Sequence, residues 1–155
     1  MITKLLPDKI SKFWDIIQYA ISQSLPPTVG DHPDKMNRIL SSALSGSIDI
    51  WASYNKKDEK GTFEGIVLTK FLYDDSSGTN NLLIYCLYGY KDVNRSSWMD
   101  GYKALSKYAK SKNCSRIIAY TDVPALIEKA NRFGGNTQYT LISVDIDNEL
   151  EEDEV

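Results

Sequence analysis

A run of apolar residues near the middle of the chain places the strongest limit on the fold. Residues 82–88 are all apolar or aromatic apart from the small thiol of Cys86, and loop-type residues precede them from 74 to 80. Such a run is typical of a strand that is covered on both faces. A helical segment of about 15 residues and a second β-type segment follow, which is a normal length for a parallel crossover. The sequence therefore predicts a sheet with strand 82–88 in its centre and strand 116–121 parallel beside it.

The first half of the chain predicts helices followed by antiparallel strands. A helix begins at Pro7 and stops before Pro26, and a second helix ends at Gly46. Before them, residues 2–6 form a short predicted strand. After them, alternation over 48–54 and a β-branched, aromatic stretch over 62–73 predict two more strands. The predicted fold is an α/β fold with a mixed, mostly antiparallel central sheet and helices on both faces.

The second half predicts alternating helices and strands and one domain. Ser96 or Ser97 caps one predicted helix, another begins after Asp122 and ends at Gly134, and residues 139–146 form the last predicted strand. A chain of 155 residues is enough for one domain, which we place at 1–146. Residues 147–155 hold six acidic residues and no basic ones, and they are predicted to be a mobile tail.

The order of these elements resembles the acyl-CoA N-acyltransferase (GNAT) superfamily over nearly the whole chain. The resemblance is strongest in segment 82–88, in Ser97-Trp98 at the start of a helix, and in segment 114–121; Phe133-Gly134-Gly135 looks like the turn after the family's last helix. The chain also resembles the small GNAT-like proteins that tailed bacteriophages encode among their virion genes. One departure is that the family ends in two strands, whereas a single strand is predicted here.

The resemblance implies an acyl-CoA site in the loop between the fourth strand and the next helix. The family pattern there is Arg/Gln-x-x-Gly-x-Gly/Ala, because glycines let backbone N–H groups approach a pyrophosphate. With Arg95 in the first position, Trp98 and Asp100 stand where the glycines belong. Ala130 stands where many members have a tyrosine that acts as general acid. The loop is therefore predicted to be degenerate, with no catalytic residue and no cofactor. Glu64 is the nearest candidate base, and we expect it to be exposed.

Three hypotheses about function follow. The first is a non-catalytic binding or structural component of a larger assembly such as a phage virion, with Tyr90 and Arg95 exposed and contacting a protein partner. The alternative is an active N-acetyltransferase with a divergent pyrophosphate loop, in which Lys91 or Arg95 pairs with the phosphates of acetyl-CoA beside the amides of Ser96 and Ser97. The third is a small-molecule sensor that uses the cleft between the fourth and fifth strands.

Composition excludes several other classes of protein. The chain carries a net charge of −3, and the residues before the acidic tail carry 18 basic against 15 acidic side chains, too evenly mixed for a nucleic-acid binder. No apolar run approaches the roughly 18 residues of a membrane span, and the N-terminus lacks the features of an export signal, so an intracellular protein is expected. One histidine, His32, and two separated cysteines, Cys86 and Cys114, give no metal-binding pattern.

Overall fold

The computed structural model describes residues 1–54, 63–90 and 93–147. It divides the chain into two compact units, Met1–Tyr120 and Thr121–Val155. The elements of the first unit are β1 (Ile2–Lys4), α1 (Pro7–Lys12), α2 (Trp14–Ser24), α3 (Lys35–Ser45), β2 (Asp49–Tyr54), β3 (Phe63–Asp74), β4 (Thr79–Gly89), α4 (Arg95–Ser111) and β5 (Arg116–Ala119). The second unit contains α5 (Pro124–Arg132).

The described strands form one five-stranded sheet in the order β1-β2-β3-β4-β5. Neighbouring strands are antiparallel except for β4 and β5, which are parallel and pair from Asn81 opposite Arg116 to Ile84 opposite Ala119. Strand β4 thus lies inside the sheet with β5 parallel beside it. This confirms the arrangement that the apolar run and the following crossover predict.

Alternation along the strands gives the sheet two apolar faces. Ile66 and Leu68 of β3 pack in the cluster that also contains the buried residues of α1, α2 and α3. Val67, which lies between them, packs in a second cluster with Leu105 and Ala109 of α4. Burial of each such Ile or Leu contributes about 1.5–3 kcal/mol to stability. Helices therefore cover both faces, as predicted, and hold β3 and β4 from two sides.

The predicted first helix is divided into α1 and α2 at Phe13. This residue leaves helical geometry, with φ −106° and ψ 18°, while its backbone N–H still donates to the carbonyl of Lys9. Its ring packs edge-to-face on Phe63, with 5.1 Å between the ring centroids. The helical spacing of apolar residues continues across the break, so periodicity alone predicts one helix where tertiary packing produces two.

The predicted strand 139–146 is wrong, because the structure has no helix or strand over these residues. Its apolar side chains remain exposed, from 58% for Leu141 to 96% for Ile146. Alternation of apolar residues favours a strand, but a strand forms only with a neighbour to pair with. Of the predicted tail 147–155, only Asp147 lies within the described residues. Across the described ranges 1–54, 63–90 and 93–147, no helix is long and apolar enough to cross a membrane.

Candidate functional site

Strands β4 and β5 separate at the C-terminal half of β4. Their pairing ends at Ile84 opposite Ala119, whereas β4 continues to Gly89. The backbone N–H of Tyr90 donates to the carbonyl of Glu64 on β3 at 2.9 Å. Because backbone groups alternate between the two edges of a strand, those of Leu87 and Gly89 point away from β3. In the part of the chain that the structure describes, no strand pairs with them. We call residues 85–89 the open edge of β4.

A β-bulge lies where the open edge begins. Leu68 of β3 pairs with Cys86 and Thr69 pairs with Ile84, so Tyr85 is an extra residue in β4. A bulge bends its strand, increases the local twist and disturbs the regular hydrogen bonding, and bulges are frequent next to active sites. The bulge therefore coincides with the residue at which β4 leaves β5.

Helix α4 begins soon after the open edge and is capped by Asn94. The Asn94 side-chain oxygen accepts a hydrogen bond from the backbone N–H of Ser97 at 2.8 Å, and Asn94 itself has extended backbone geometry. The predicted cap at Ser96 or Ser97 is therefore wrong by two or three residues. Arg95 and Ser96 are exposed in the first turn, where backbone N–H groups have no acceptor within the helix and carry a partial positive charge.

Glu64 is buried beside the first turn of α4. Its carboxylate accepts hydrogen bonds from the hydroxyls of Ser97 at 3.1 Å and Ser53 at 3.5 Å, and only 9% of the residue is exposed. The expected exposure of Glu64 is therefore wrong. The physical reason is a second register shift: Ser53 pairs with Gly65 and Tyr54 pairs with Phe63, so Glu64 is an extra residue opposite β2.

Tyr90 is not the exposed loop residue that the sequence predicts. Its hydroxyl donates to the carbonyl of Ile16 in α2 at 2.8 Å, and its ring lies edge-to-face on Tyr88 at 5.1 Å. Two effects raise the pKa of Tyr90 to about 12: partial burial is the larger, and the neighbouring Tyr88 is the smaller. The continued hydrogen bonding of Tyr90 to β3 directs its side chain into the α2 face of the sheet. Tyr90 is half-buried, so the predicted exposure is wrong, and its role as a partner-binding residue stays a prediction.

The other predicted site residues lie near the start of α4. Arg95 is exposed, as expected; Ser96 is exposed; and Ser97 is half-buried against Glu64. Trp98 is half-buried and Asp100 is exposed. Lys91, a predicted phosphate-binding residue, lies outside the described residues. The structure thus brings Arg95, Ser96 and Ser97 together at one helix terminus.

A cluster of tyrosines adjoins this region and includes one residue that no sequence pattern links to it. Tyr19 of α2 lies edge-to-face against Tyr88 of β4, with 5.9 Å between the ring centroids, and Tyr88 contacts Tyr90. The i, i+2 spacing of Tyr88 and Tyr90 indicates a shared face. Tyr19 precedes them by about seventy positions in the sequence, so only the packing of α2 on β4 brings it there.

Cys86, a possible nucleophile, is buried in β4, and His32 lies in the turn before α3. Burial raises the pKa of the Cys86 thiol to about 11, which disfavours the reactive thiolate. His32 accepts a hydrogen bond from the backbone N–H of Asp34 in the turn before α3. Across residues 1–54, 63–90 and 93–147, no three His, Cys, Asp or Glu side chains form a group that could hold a metal ion.

Comparison with known proteins identifies the fold. No protein-family model and no curated protein sequence matches the chain. Ribosomal-protein-alanine N-acetyltransferase from Brucella melitensis is similar in structure, with a TM-score of 0.66 and 11% identity over 94% of this chain and 99% of that one. Glucosamine-6-phosphate N-acetyltransferase from Arabidopsis thaliana has a TM-score of 0.64 and 13% identity over 95% and 98% of the two chains.

A third similar structure is AAC(6')-Iy in complex with the bisubstrate analogue CoA-S-monomethyl-acetylneamine. It has a TM-score of 0.66 and 12% identity, and the match covers 94% of this chain and 96% of that one. These three structures give no support to the resemblance to phage proteins. The mixed five-stranded sheet with helices on both faces, together with these similarities, shows that the chain has the GNAT acetyltransferase fold.

Proposed function

We propose that this protein is an acyl-CoA-dependent N-acyltransferase. The observation that carries the proposal is the β-bulge at Tyr85, at the point where β4 separates from β5. The separation leaves backbone N–H and C=O groups of Leu87 and Gly89 without a strand partner in the described part of the sheet. The pantetheine arm of CoA contains amide groups, and an extended amide chain can pair with such an edge as an added strand does.

The start of α4 provides groups that suit the diphosphate of CoA. Arg95 offers a guanidinium that can form two parallel hydrogen bonds to a phosphate, and Ser96 offers a hydroxyl; both are exposed. The first-turn N–H groups and the helix dipole favour the negative charge. Lys91 is a further candidate from the sequence, and its position lies outside the described residues.

The reaction needs an attacking amine, a donor for the developing oxyanion and an acceptor for a proton. The amine attacks the thioester carbonyl, so that a C–N bond forms, the C–S bond breaks and the leaving thiolate takes up a proton. Negative charge develops on the carbonyl oxygen, and a backbone N–H group of the open edge of β4 is a suitable donor. Glu64 has a carboxylate in this region, held by the hydroxyls of Ser53 and Ser97.

A specific observation favours a second candidate, a non-catalytic binding component with a protein partner. The Asn94 side chain already occupies the backbone N–H of Ser97, and the Glu64 carboxylate lies 3.1 Å from the Ser97 hydroxyl. Both oxygens lower the affinity of this helix terminus for another anion. The bulky Trp98 and the acidic Asp100, which follow in α4, also lower the affinity of this helix terminus for an anion.

Calorimetry with acetyl-CoA and CoA separates the two candidates. For an acyltransferase we expect a dissociation constant of about 10 μM, and we expect Arg95→Ala to weaken binding about tenfold, or about 1.4 kcal/mol. Arg38→Ala is the matched control, because Arg38 is an exposed arginine near the start of a different helix, α3. A dissociation constant of about 1 mM or weaker for the wild-type protein would contradict the acyltransferase and favour the binding component.

A further inference from the structure

The face of α2 next to the open edge of β4 has an unusual set of exposed side chains. Tyr19 is 54% exposed and Ile16 is 44% exposed, although both lie on a helix that packs against the sheet. The ring of Tyr19 lies against Tyr88, which lies between the two residues, Leu87 and Gly89, whose backbone groups form the open edge. An aromatic surface therefore borders the open edge, whose backbone N–H groups we propose as donors to the thioester carbonyl oxygen.

An acidic side chain belongs to the same surface. Asp15 is exposed and lies four residues before Tyr19 in α2, so the two side chains are neighbours on one face of the helix. None of the ion pairs among the described residues includes Asp15. Helix α2 carries no Lys or Arg from Trp14 to Ser24. The surface thus combines a carboxylate, aromatic rings and an aliphatic side chain without a basic group on the same helix.

We propose that this surface, formed by Asp15, Ile16, Tyr19 and Tyr88, binds a primary amine that is joined to an aromatic body. The ammonium group pairs with the Asp15 carboxylate and lies over a tyrosine ring, whose face attracts cations. The aromatic body covers Ile16 and stacks against Tyr19. The inference rests on the proposed function in one respect: in the proposed acyltransferase, this amine is the acyl acceptor.

Acyl transfer to an amine of this class releases one proton overall. The bound ammonium first loses a proton to water, and the neutral amine then attacks the thioester carbon. The C–N bond forms, the C–S bond breaks, the thiolate takes the second amine proton, and the products are the amide, the CoA thiol and one released proton. Helix α2 offers a phosphate group no Lys or Arg and places the Asp15 carboxylate beside it, and Lys12 at the end of α1 lies over the Phe13 ring. We therefore expect phosphorylated amino sugars to bind more weakly than aromatic amines without a phosphate.

Equilibrium binding of phenethylamine to the full chain, measured by ligand-observed NMR with and without CoA, tests the inference independently of catalysis. We expect wild-type protein to bind phenethylamine at least tenfold more tightly than 2-phenylethanol, which lacks the amine, and more tightly than glucosamine 6-phosphate. Asp15→Asn should remove the preference for the amine over the alcohol. Tyr19→Ala should weaken binding at least fivefold, whereas Tyr19→Phe keeps the ring and should bind nearly as well as the wild type.

The matched control is Tyr73→Ala, because Tyr73 is also an exposed tyrosine, 63% exposed, but lies at the far end of β3. It should leave phenethylamine binding unchanged. Absence of phenethylamine binding both with and without CoA, tighter binding of glucosamine 6-phosphate, or equal effects of Tyr19→Ala and Tyr73→Ala would overturn the inference. Failure of acetyl-CoA to bind in calorimetry, with phenethylamine binding retained, would instead overturn the acyltransferase and keep the amine site.

Discussion

The hydroxyl of Ser97 in the first turn of α4 donates to the Glu64 carboxylate on β3 at 3.1 Å. The same carboxylate accepts from Ser53 on β2. One buried side chain therefore joins two strands to the start of α4, where we propose that the diphosphate of CoA binds. Since a buried carboxylate is costly unless hydrogen-bonded, these hydroxyls stabilise Glu64 and fix the start of α4 against the sheet.

Ser97→Ala removes one of these hydrogen bonds. We expect the free energy of unfolding to fall by about 1.5–3 kcal/mol, the range for a hydrogen bond to a charged group, as measured by urea denaturation. The backbone N–H of residue 97 still reaches the Asn94 cap, so the loss reports the Glu64 contact alone. Ser96→Ala is the control, since Ser96 is exposed in the same turn. Equal losses for the two variants would show that the Glu64 contact contributes nothing.

Asn94→Ala removes the N-cap of α4. The side-chain oxygen that accepts from the Ser97 N–H at 2.8 Å is lost, and we expect a decrease of about 1 kcal/mol in the free energy of unfolding. Asn94→Asp keeps an oxygen acceptor and adds negative charge at the helix N-terminus, so it should retain the stability of the wild type. If Asn94→Asp is destabilised as much as Asn94→Ala, the cap is not the cause.

Tyr90→Phe changes both stability and its dependence on pH. The loss of the hydrogen bond to the Ile16 carbonyl should lower the free energy of unfolding by about 1 kcal/mol at pH 7. The pKa of Tyr90 is about 12 in the folded protein against 10.0 for a free tyrosine. A raised folded pKa means that the folded state favours the neutral phenol, so its contribution is complete below pH 10 and is lost as the pH rises from 10 to 12.

Denaturation curves at pH 9, 10 and 11 check this prediction. The wild-type protein should lose more stability over this range than Tyr90→Phe, because the variant has no phenol to ionise at position 90. Other tyrosines with raised pKa values, such as Tyr85 and Tyr54, contribute equally to both proteins. Parallel curves for the two proteins would contradict the assignment.

Thr69→Val leaves a buried donor without its acceptor. The indole Nε1–H of Trp51 donates to the Thr69 hydroxyl at 2.9 Å, and Thr69 is fully buried. The substitution keeps the side-chain volume nearly constant, so the expected loss of about 1–3 kcal/mol is the cost of an unsatisfied buried group. Thr69→Ser keeps the hydroxyl and should lose less. Thermal melting curves of the two variants measure these losses of stability. A larger loss for Thr69→Ser than for Thr69→Val would refute the role of the hydrogen bond.

Local patterns in the sequence predict the elements and much of their order. The apolar run 82–88 marks the strand that is covered on both faces, Pro7 marks the start of α1, and Gly46, with φ +86°, ends α3. These features depend on a few neighbouring residues, because side-chain spacing and backbone preference act within one turn or one strand. The exposure of Arg95 at the candidate site is likewise a feature that the local sequence predicts.

Tertiary structure alone decided the features that make the region a site. The bulges at Glu64 and Tyr85 arise from the register between strands. The buried Glu64 accepts a hydrogen bond from Ser97, and the half-buried Tyr90 donates one to the Ile16 carbonyl, so both positions depend on contacts across the fold. Residues 139–146 show the converse, since a β-type pattern without a pairing neighbour remained outside any strand. Periodicity determines which side chains share a face of one segment, but register and burial depend on contacts between residues far apart in the chain.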